Sequence, residues 1–303
     1  MTATLEKKAG RTAQAPALRH RLAERGVDRQ LLLLLPAVLF VVLLFLYPFF
    51  YGLQLSFAPE AGGPLGSYIA FFSDPYQRGT IGITLGLSLP AALLNVLASV
   101  PIAYRMRGSF RGKRLLTTVL VVPITLGTVL TAQGLLNFLG PAGWFNKVLA
   151  GFGVDEPAQL VGNYWGVFFS LVITGFPFAF LLILSYLSGI DPTLERAAAT
   201  LGADWKARFR YITLPLLAPG LATTFCLAFV LAFSVFPSAV LVGNPAGETR
   251  VLALAAYQAA YEQYDYSLAS AIAMIMGAVE LIVIAVVLMW RSRLYTGSTG
   301  GKG

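Results

Sequence analysis

Charge, cysteine and histidine are what this chain has least of. Only 12% of its 303 residues are Asp, Glu, Lys or Arg, against roughly 25% in a soluble domain. So few charges cannot cover a water-facing surface. A hydrophobic share of 57% and a mean hydropathy of +0.72 suit a chain whose solvent is largely lipid. The single cysteine, Cys226, excludes an internal disulfide framework and, set in an apolar run, reads as a small core residue. The single histidine, His20, lies in a basic N-terminal stretch, so a His-based metal site or catalytic triad is not expected. No alternating ten-residue pattern is present, which argues against a transmembrane barrel.

What is present is a series of apolar runs. Six are about 20 residues or longer, enough to cross a bilayer, and they fall at roughly 31–53, 80–104, 115–138, 164–187, 219–242 and 267–290. In lipid the backbone must satisfy its own hydrogen bonds, so each is expected to be a helix. The fold class is therefore an all-α membrane protein with six transmembrane helices. Of the 22 Lys and Arg residues, 19 lie in the N-terminal stretch, the loop around 105–114, the loop 188–218 and the C-terminal stretch. The opposite loops hold only Arg78, Lys147 and Arg250. The positive-inside rule then places both termini and the 188–218 loop in the cytoplasm. The net charge of +8 is thus a matter of membrane topology, and no nucleic-acid partner is expected. Residues 1–30 read as a basic cytoplasmic tail, 31–290 as the transmembrane domain and 291–303 as a flexible tail. The first apolar run is too long for a cleaved signal peptide and no A-x-A-like site follows it. GSTGGKG at 297–303 lacks the spacing of a phosphate loop.

The outer loops carry two smaller signals. WFNKVLAGF, within residues 139–163, reads as a short interfacial helix. In AAYQAAYEQYDY, Tyr257, Tyr261 and Tyr264 recur at helical spacing, which suits an interfacial aromatic belt or a contact for an external partner. Prolines 90, 123, 177 and 237 lie within the spans, where they permit kinks. The GITLG run from Gly82 to Gly86 offers a close-packing face.

One segment is kept out of the apolar pattern. ERAAATLGADWKARFRYITLP, residues 195–215, is charged and alanine-rich. It reads as two short helices. Asp191 or Thr193 can cap the first, with Pro192 in its opening turn, and Gly202 can stop it. Asp204 can cap the second, which is expected to end before Pro215. Ala197, Ala198 and Leu201 fall on one small apolar face, flanked by Glu195, Arg196, Lys206, Arg208 and Arg210. A smooth face with charged flanks suits the docking of a cytosolic protein.

In this segment the sequence resembles the inner-membrane permease subunits of binding-protein-dependent ABC importers. Their loop has the form E-A-A, three residues, G, nine residues, I-x-L-P. Ala197, Ala198, Gly202, Ile212, Leu214 and Pro215 fall on that register, with Arg196 where the pattern has Glu and Glu195 one place earlier. The resemblance implies a MetI-like permease core in the bacterial inner membrane. It implies that the loop 191–215 forms a cytoplasmic coupling helix held by a separate ATPase subunit. The docking residues would be Glu195, Arg196, Ala197, Ala198, Leu201, Gly202, Ile212, Leu214 and Pro215. The implied partners are ABC ATPase subunits, a second permease subunit and an extracytoplasmic solute-binding protein. ATP and Mg would be used by the partner ATPase, with no cofactor bound by this chain, which is not itself expected to be an enzyme.

For the solute pathway the polar residues within the spans are candidates: Asn95, Gln133, Asn137, Ser234, Ser238 and Glu280. Polar side chains in spans also serve as helix-packing glue, whereas a carboxyl in a bilayer points to function or to a structural hydrogen bond. Leu201 before Gly202 resembles the permeases for polyamines, thiamine, ferric iron or sulfate-type anions. Seven acids against three bases in the outer loops favour a polyamine-like cation. An ATP-independent secondary transporter using Glu280 is the alternative, but it leaves 195–215 unexplained. An intramembrane enzyme lacks a paired catalytic constellation.

Overall fold

The computed structural model describes residues 29–59, 62–108, 112–153 and 159–294. The tail 1–28 and the glycine-rich stretch 297–303 lie outside the described residues. The chain divides into two units, residues 1–54 and 55–303. The described residues are helical, and six helical segments are long and apolar enough to cross a membrane.

The described part of the first unit is a single spanning helix: α1, Arg29–Val41, a π-helical stretch, Val42–Leu46, and α2, Tyr47–Ser56, whose last residues cross the unit boundary. Every side chain from Leu34 to Tyr51 is exposed, and nearly all are apolar. A helix greasy all round is one whose neighbour is lipid or another apolar surface.

The second unit begins with α3, Gly66–Ser73, followed by α4, Pro75–Met106. Asp74 starts α4, accepting from the Tyr76 amide at 2.9 Å, with Pro75 in the first turn where its missing N–H costs nothing. Then come α5, Lys113–Leu139, and α6, Trp144–Gly151, the short outer-loop helix expected from WFNKVLAGF. Asn163 caps α7, Tyr164–Ser188, by accepting from the Gly166 amide at 3.2 Å. Beyond it lie α8, Pro192–Thr200, and α9, Trp205–Arg208. A π-helical turn, Phe209–Thr213, leads into α10, Leu214–Phe233. Short helices α11, Pro237–Leu241, and α12, Leu252–Tyr257, precede a second π-helical turn, Gln258–Glu262. The last helix is α13, Tyr266–Leu294, four residues longer than the expected span end at 290.

Helix α4 is central. It contributes to all three apolar clusters: Leu87 and Ala91 to the first, Ala92 to the second, and Val96, Val100, Ala103 and Met106 to the third. Its buried face is built of small residues, Ser88, Ala91, Ala92, Asn95, Ser99 and Ala103, so that neighbouring helices approach closely. Gly175 of α7 receives the Asn95 amide where any Cβ would stand.

Four expectations are corrected. The fifth span runs from 214 to 233, not from 219 to 242. The chain leaves the helix at Ser234, and Phe236, before Pro237, takes non-helical angles, as the residue preceding proline is pressed to do. Secondly, Pro215 does not end the second cytoplasmic helix; α9 continues through the π turn into α10 as one rod. The wider turn, closed by the Leu214 amide to the Phe209 carbonyl, lies directly before Pro215 and relieves the carbonyl that its ring would strike. Thirdly, the third span is broken inside: Gly127 has φ 73° and ψ 170°, open only to glycine, four residues after Pro123. Tyr264 also leaves its expected helical stripe, with φ 58°.

Gly166 shows how tight the outer end is: a Cβ there would lie 2.5 Å from the Val242 carbonyl oxygen and 2.7 Å from that of Leu160. Backbone cannot step aside as a side chain does. Gly166→Ala is expected to destabilise the bundle by about 1–3 kcal/mol, as overpacking does, read as a lowered thermal midpoint in detergent. An unchanged midpoint would contradict this packing.

Candidate functional site

The water-exposed segment between the fourth and fifth spans is shaped by local rules. Asp191 caps α8, accepting from the Thr193 amide at 2.8 Å, with Pro192 as its first residue. That bond holds the exposed Asp191 carboxyl below the ordinary carboxylate value. The helix stops at Gly202, φ 86°. There the Ala203 amide reaches the Ala198 carbonyl at 3.0 Å and the Gly202 amide the Ala199 carbonyl at 3.0 Å, a Schellman closure. Asp204 then caps α9 through the Ala207 amide at 2.8 Å.

This closure presents a short apolar face to solvent. Leu201 is 88% exposed, and Ala197, Leu194 and Trp205 are exposed near it in sequence. Arg196, Lys206 and Arg210 stand in solvent, and Gly202 has open space where a Cβ would be. Ala198, Ile212 and Leu214 are half-buried and Pro215 is exposed.

Glu195 departs from the expected exposed set. It is the one buried residue of α8. Its Oε2 accepts from Arg107 Nη2 at 2.7 Å and from Tyr104 Oη at 3.3 Å, and its Oε1 accepts from Thr213 Oγ1. The Tyr104 ring meets Phe209 edge-on at 5.0 Å, and the Arg107 guanidinium lies 5.2 Å from the Tyr104 ring centre. Burial pushes the Glu195 carboxyl up, but the hydrogen bonds from Thr213 and Arg107 and the Arg107 charge outweigh it and hold the carboxyl below its ordinary value. It stays ionised at neutral pH. The helical register explains the inversion: with Ala197, Ala198 and Leu201 turned outward or half-outward, position 195 turns toward the bundle. Arg107 and Thr213 escaped the sequence reading because one was counted only as topology charge and the other as part of a helix end.

The six pathway candidates separate. Asn95 is buried and donates to the Leu171 carbonyl at 3.3 Å, and Ser238 is buried with its hydroxyl 2.7 Å from that of Ser170. Both join helices. Gln133 and Asn137 are exposed, one turn apart on α5, and Ser234 is exposed at the end of α10. Glu280 is half-buried in α13, with a buried carboxyl oxygen that has no hydrogen-bond partner among the described residues. Among the described residues no hydrogen bond joins any two of the six.

Arg250, counted in the sequence only as an outer-loop base, is 3% exposed. Its Nε donates to Gln258 Oε1 at 2.9 Å, and Nη1 and Nη2 reach Gln77 Oε1 at 3.3 and 3.4 Å. The Tyr76 ring centre lies 4.2 Å from the guanidinium carbon. Burial pulls the guanidinium below its ordinary value, while it remains protonated. The sequence signal was a lone base set directly before the apolar run VLALAAY; charge counting treats every such base as solvated.

With this geometry in hand, comparison with known proteins is direct. Residues 62–296 match the family described as the binding-protein-dependent transport system inner membrane component. The chain is 30% identical over 213 residues to a probable sulfate transport system permease protein of Prototheca wickerhamii, covering 70% of this chain and 82% of that one. It is 36% identical over 182 residues to the molybdenum transport system permease protein of Haemophilus influenzae, covering 57% and 77%. It is 29% identical over 268 residues to a trehalose/maltose transport system permease protein of Thermococcus litoralis, covering 85% and 90%. Among solved structures, a bacterial ABC transporter involved in import of the acidic polysaccharide alginate superposes with TM-score 0.78 at 21% identity, over 92% of this chain and 99% of that one. The same transporter in complex with a periplasmic protein carrying an alginate pentasaccharide gives 0.79, over 93% and 99%. The fold is that of the MetI-like permeases, and this multi-pass inner-membrane chain belongs to the binding-protein-dependent permease family of ABC importers.

Proposed function

We propose that this chain forms one half of the translocation pathway of an ATP-driven importer, with the exposed face of α8 as the docking point for the ATPase subunit. The observation that carries it is Leu201, an apolar side chain almost wholly in water at the closed end of a short helix. A surface leucine held this way by a Schellman turn gains about 1.5–3 kcal/mol when a partner covers it. The alanines beside it let another backbone approach, and Arg196, Lys206 and Arg210 can frame the contact.

A second permease chain completes the path. The backbone break at Gly127 and the exposed Gln133 and Asn137 support this. Non-helical backbone at membrane depth is tolerated only where protein or water covers it, and residues 124–130 are exposed in the single chain. Closure of two ATPase subunits would move two coupling segments and switch the pair between inward-open and outward-open states. A loaded binding protein favours the outward state by binding it better.

For the solute we propose a small oxyanion of the sulfate or molybdate kind. The named cargoes of the sulfate and molybdenum relatives support it. The polyamine-like cation suggested by the outer-loop acids loses part of its basis: Asp74 and Asp265 are spent on capping α4 and α13. Glu60, Asp155 and Glu156 lie outside the described residues.

Two experiments test this. Leu201→Asp, in the chain co-expressed with its co-encoded ATPase, is expected to insert normally yet lose solute-stimulated ATP hydrolysis by about tenfold or more, the equivalent of about 1.4 kcal/mol; undiminished stimulation would remove α8 as the docking point. Uptake of labelled sulfate, molybdate and spermidine into vesicles supplied with the binding protein is expected to favour an oxyanion. Uptake of spermidine alone would overturn the oxyanion assignment and leave the permease assignment standing.

A further inference from the structure

We propose that Glu195 is a positioning residue that makes the coupling helix α8 move as one body with the second and fifth spans. This rests on the docking reading above and adds where the motion goes.

The covalent routes from α8 do not reach α4: its C-terminal end runs through residues 201–204 into the α9–α10 rod, and its N-terminal end leads elsewhere. Through Gly189, Ile190 and Asp191 it joins the end of α7, the fourth span. Contact with the bundle is different. Of the nine residues of α8 only Glu195 is buried, and its carboxylate makes the one ion pair of α8 with the bundle among the described residues. That carboxylate is held from two elements at once. Arg107 and Tyr104 belong to the cytoplasmic end of α4, and Thr213 to the π turn that continues into α10.

The chemistry of the joint suits load in either direction. An apolar contact resists compression but slides or parts under tension. A charge-assisted hydrogen bond at 2.7 Å, with further donors on both oxygens, resists being pulled, pushed or turned. The α10 side is stiff too, because α9, the π turn and α10 form one rod from Trp205 to Phe233. Movement imposed on α8 therefore reaches α4 and α10 together.

The same geometry accounts for the departure from the family pattern. The pattern's glutamate position holds Arg196, which is exposed, while the acid one place earlier faces inward. In this chain the acid serves the joint and not the docking surface.

The test uses the full importer, reconstituted with its ATPase and binding protein. Three quantities are read: ATPase co-purification, ATP hydrolysis and sulfate uptake. Glu195→Gln keeps the shape and loses the charge. It is expected to retain the ATPase and hydrolyse ATP within about twofold of wild type, while ATP consumed per sulfate imported rises about tenfold or more, within the usual range of coupling between sites. The exchange Glu195→Arg with Arg107→Glu is expected to recover most of that loss, whereas each single change is not. An unchanged ratio in Glu195→Gln, or a swap that rescues nothing, overturns the proposal. Loss of ATPase binding in Glu195→Gln also overturns it, since Glu195 would then belong to the docking contact. Failure of the wild-type chain to bind an ATPase would instead sink the docking reading. A second measurement covers poor insertion. Spin labels at Arg105→Cys and Thr200→Cys, in a Cys226→Ser background, should keep their separation between ATP-free and ATP-bound states. In Arg107→Met that separation should change with nucleotide. A separation that changes in both, or in neither, refutes the single-body movement.

Discussion

The ion pair between Arg107 and Glu195 joins the part of this chain that lives in water to the part that lives in lipid. Its energetics explain why so many groups gather there. Taking a carboxylate out of water costs several kcal/mol, and a single partner does not offset that. Here Arg107, Tyr104 and Thr213 share the task. Removing one partner from a buried pair typically costs about 3–5 kcal/mol because the other charge is stranded. A nine-residue helix, far below the length that holds in water alone, therefore stays in place on one buried side chain, one cap and a glycine closure.

A second constraint, the need to satisfy every backbone group in lipid, shapes the irregular points. Pro215 would break the rod, and the π turn before it lets the rod continue. The fifth span ends at Ser234, and Pro237 opens a new short helix.

This is also where reading the sequence stops. The six spans were legible because length and hydropathy are summed over about 20 residues and tolerate local error. The caps were legible because Asp191, Asp204 and Gly202 act on backbone within a few residues of themselves. The inward turn of Glu195 was not, since the small apolar face of Ala197, Ala198 and Leu201 is turned largely to solvent and the acid to the bundle, the reverse of what hydropathy alone suggests. Nor was the burial of Arg250, whose partners Gln77 and Gln258 are, for the former, 173 residues away. For Asn95 and Ser238, read either as pathway residues or as helix-packing glue, composition cannot show which partner each meets; the structure gives the Leu171 carbonyl and the Ser170 hydroxyl.

The two buried charges that the sequence hid turn out to have complementary places. Helix α4 has 32 residues and so a length of about 48 Å, well beyond the roughly 30 Å of hydrocarbon. Its first turn, at Tyr76 and Gln77, is held by Arg250, and its last, at Tyr104 and Arg107, holds Glu195. Both networks lie toward the interfaces, where a charge is far cheaper than at the bilayer centre. Between them α4 is packed by alanines and serines that let other helices close on it. Helix α4 is thus held at both ends by directional bonds, with Leu87, Val96 and Val100 packed among the small residues of its middle. On the proposal above, motion delivered at the cytoplasmic joint would pass along α4 to its outer end, where the Arg250 network ties α4 to the segment leading into α12 and its following π turn.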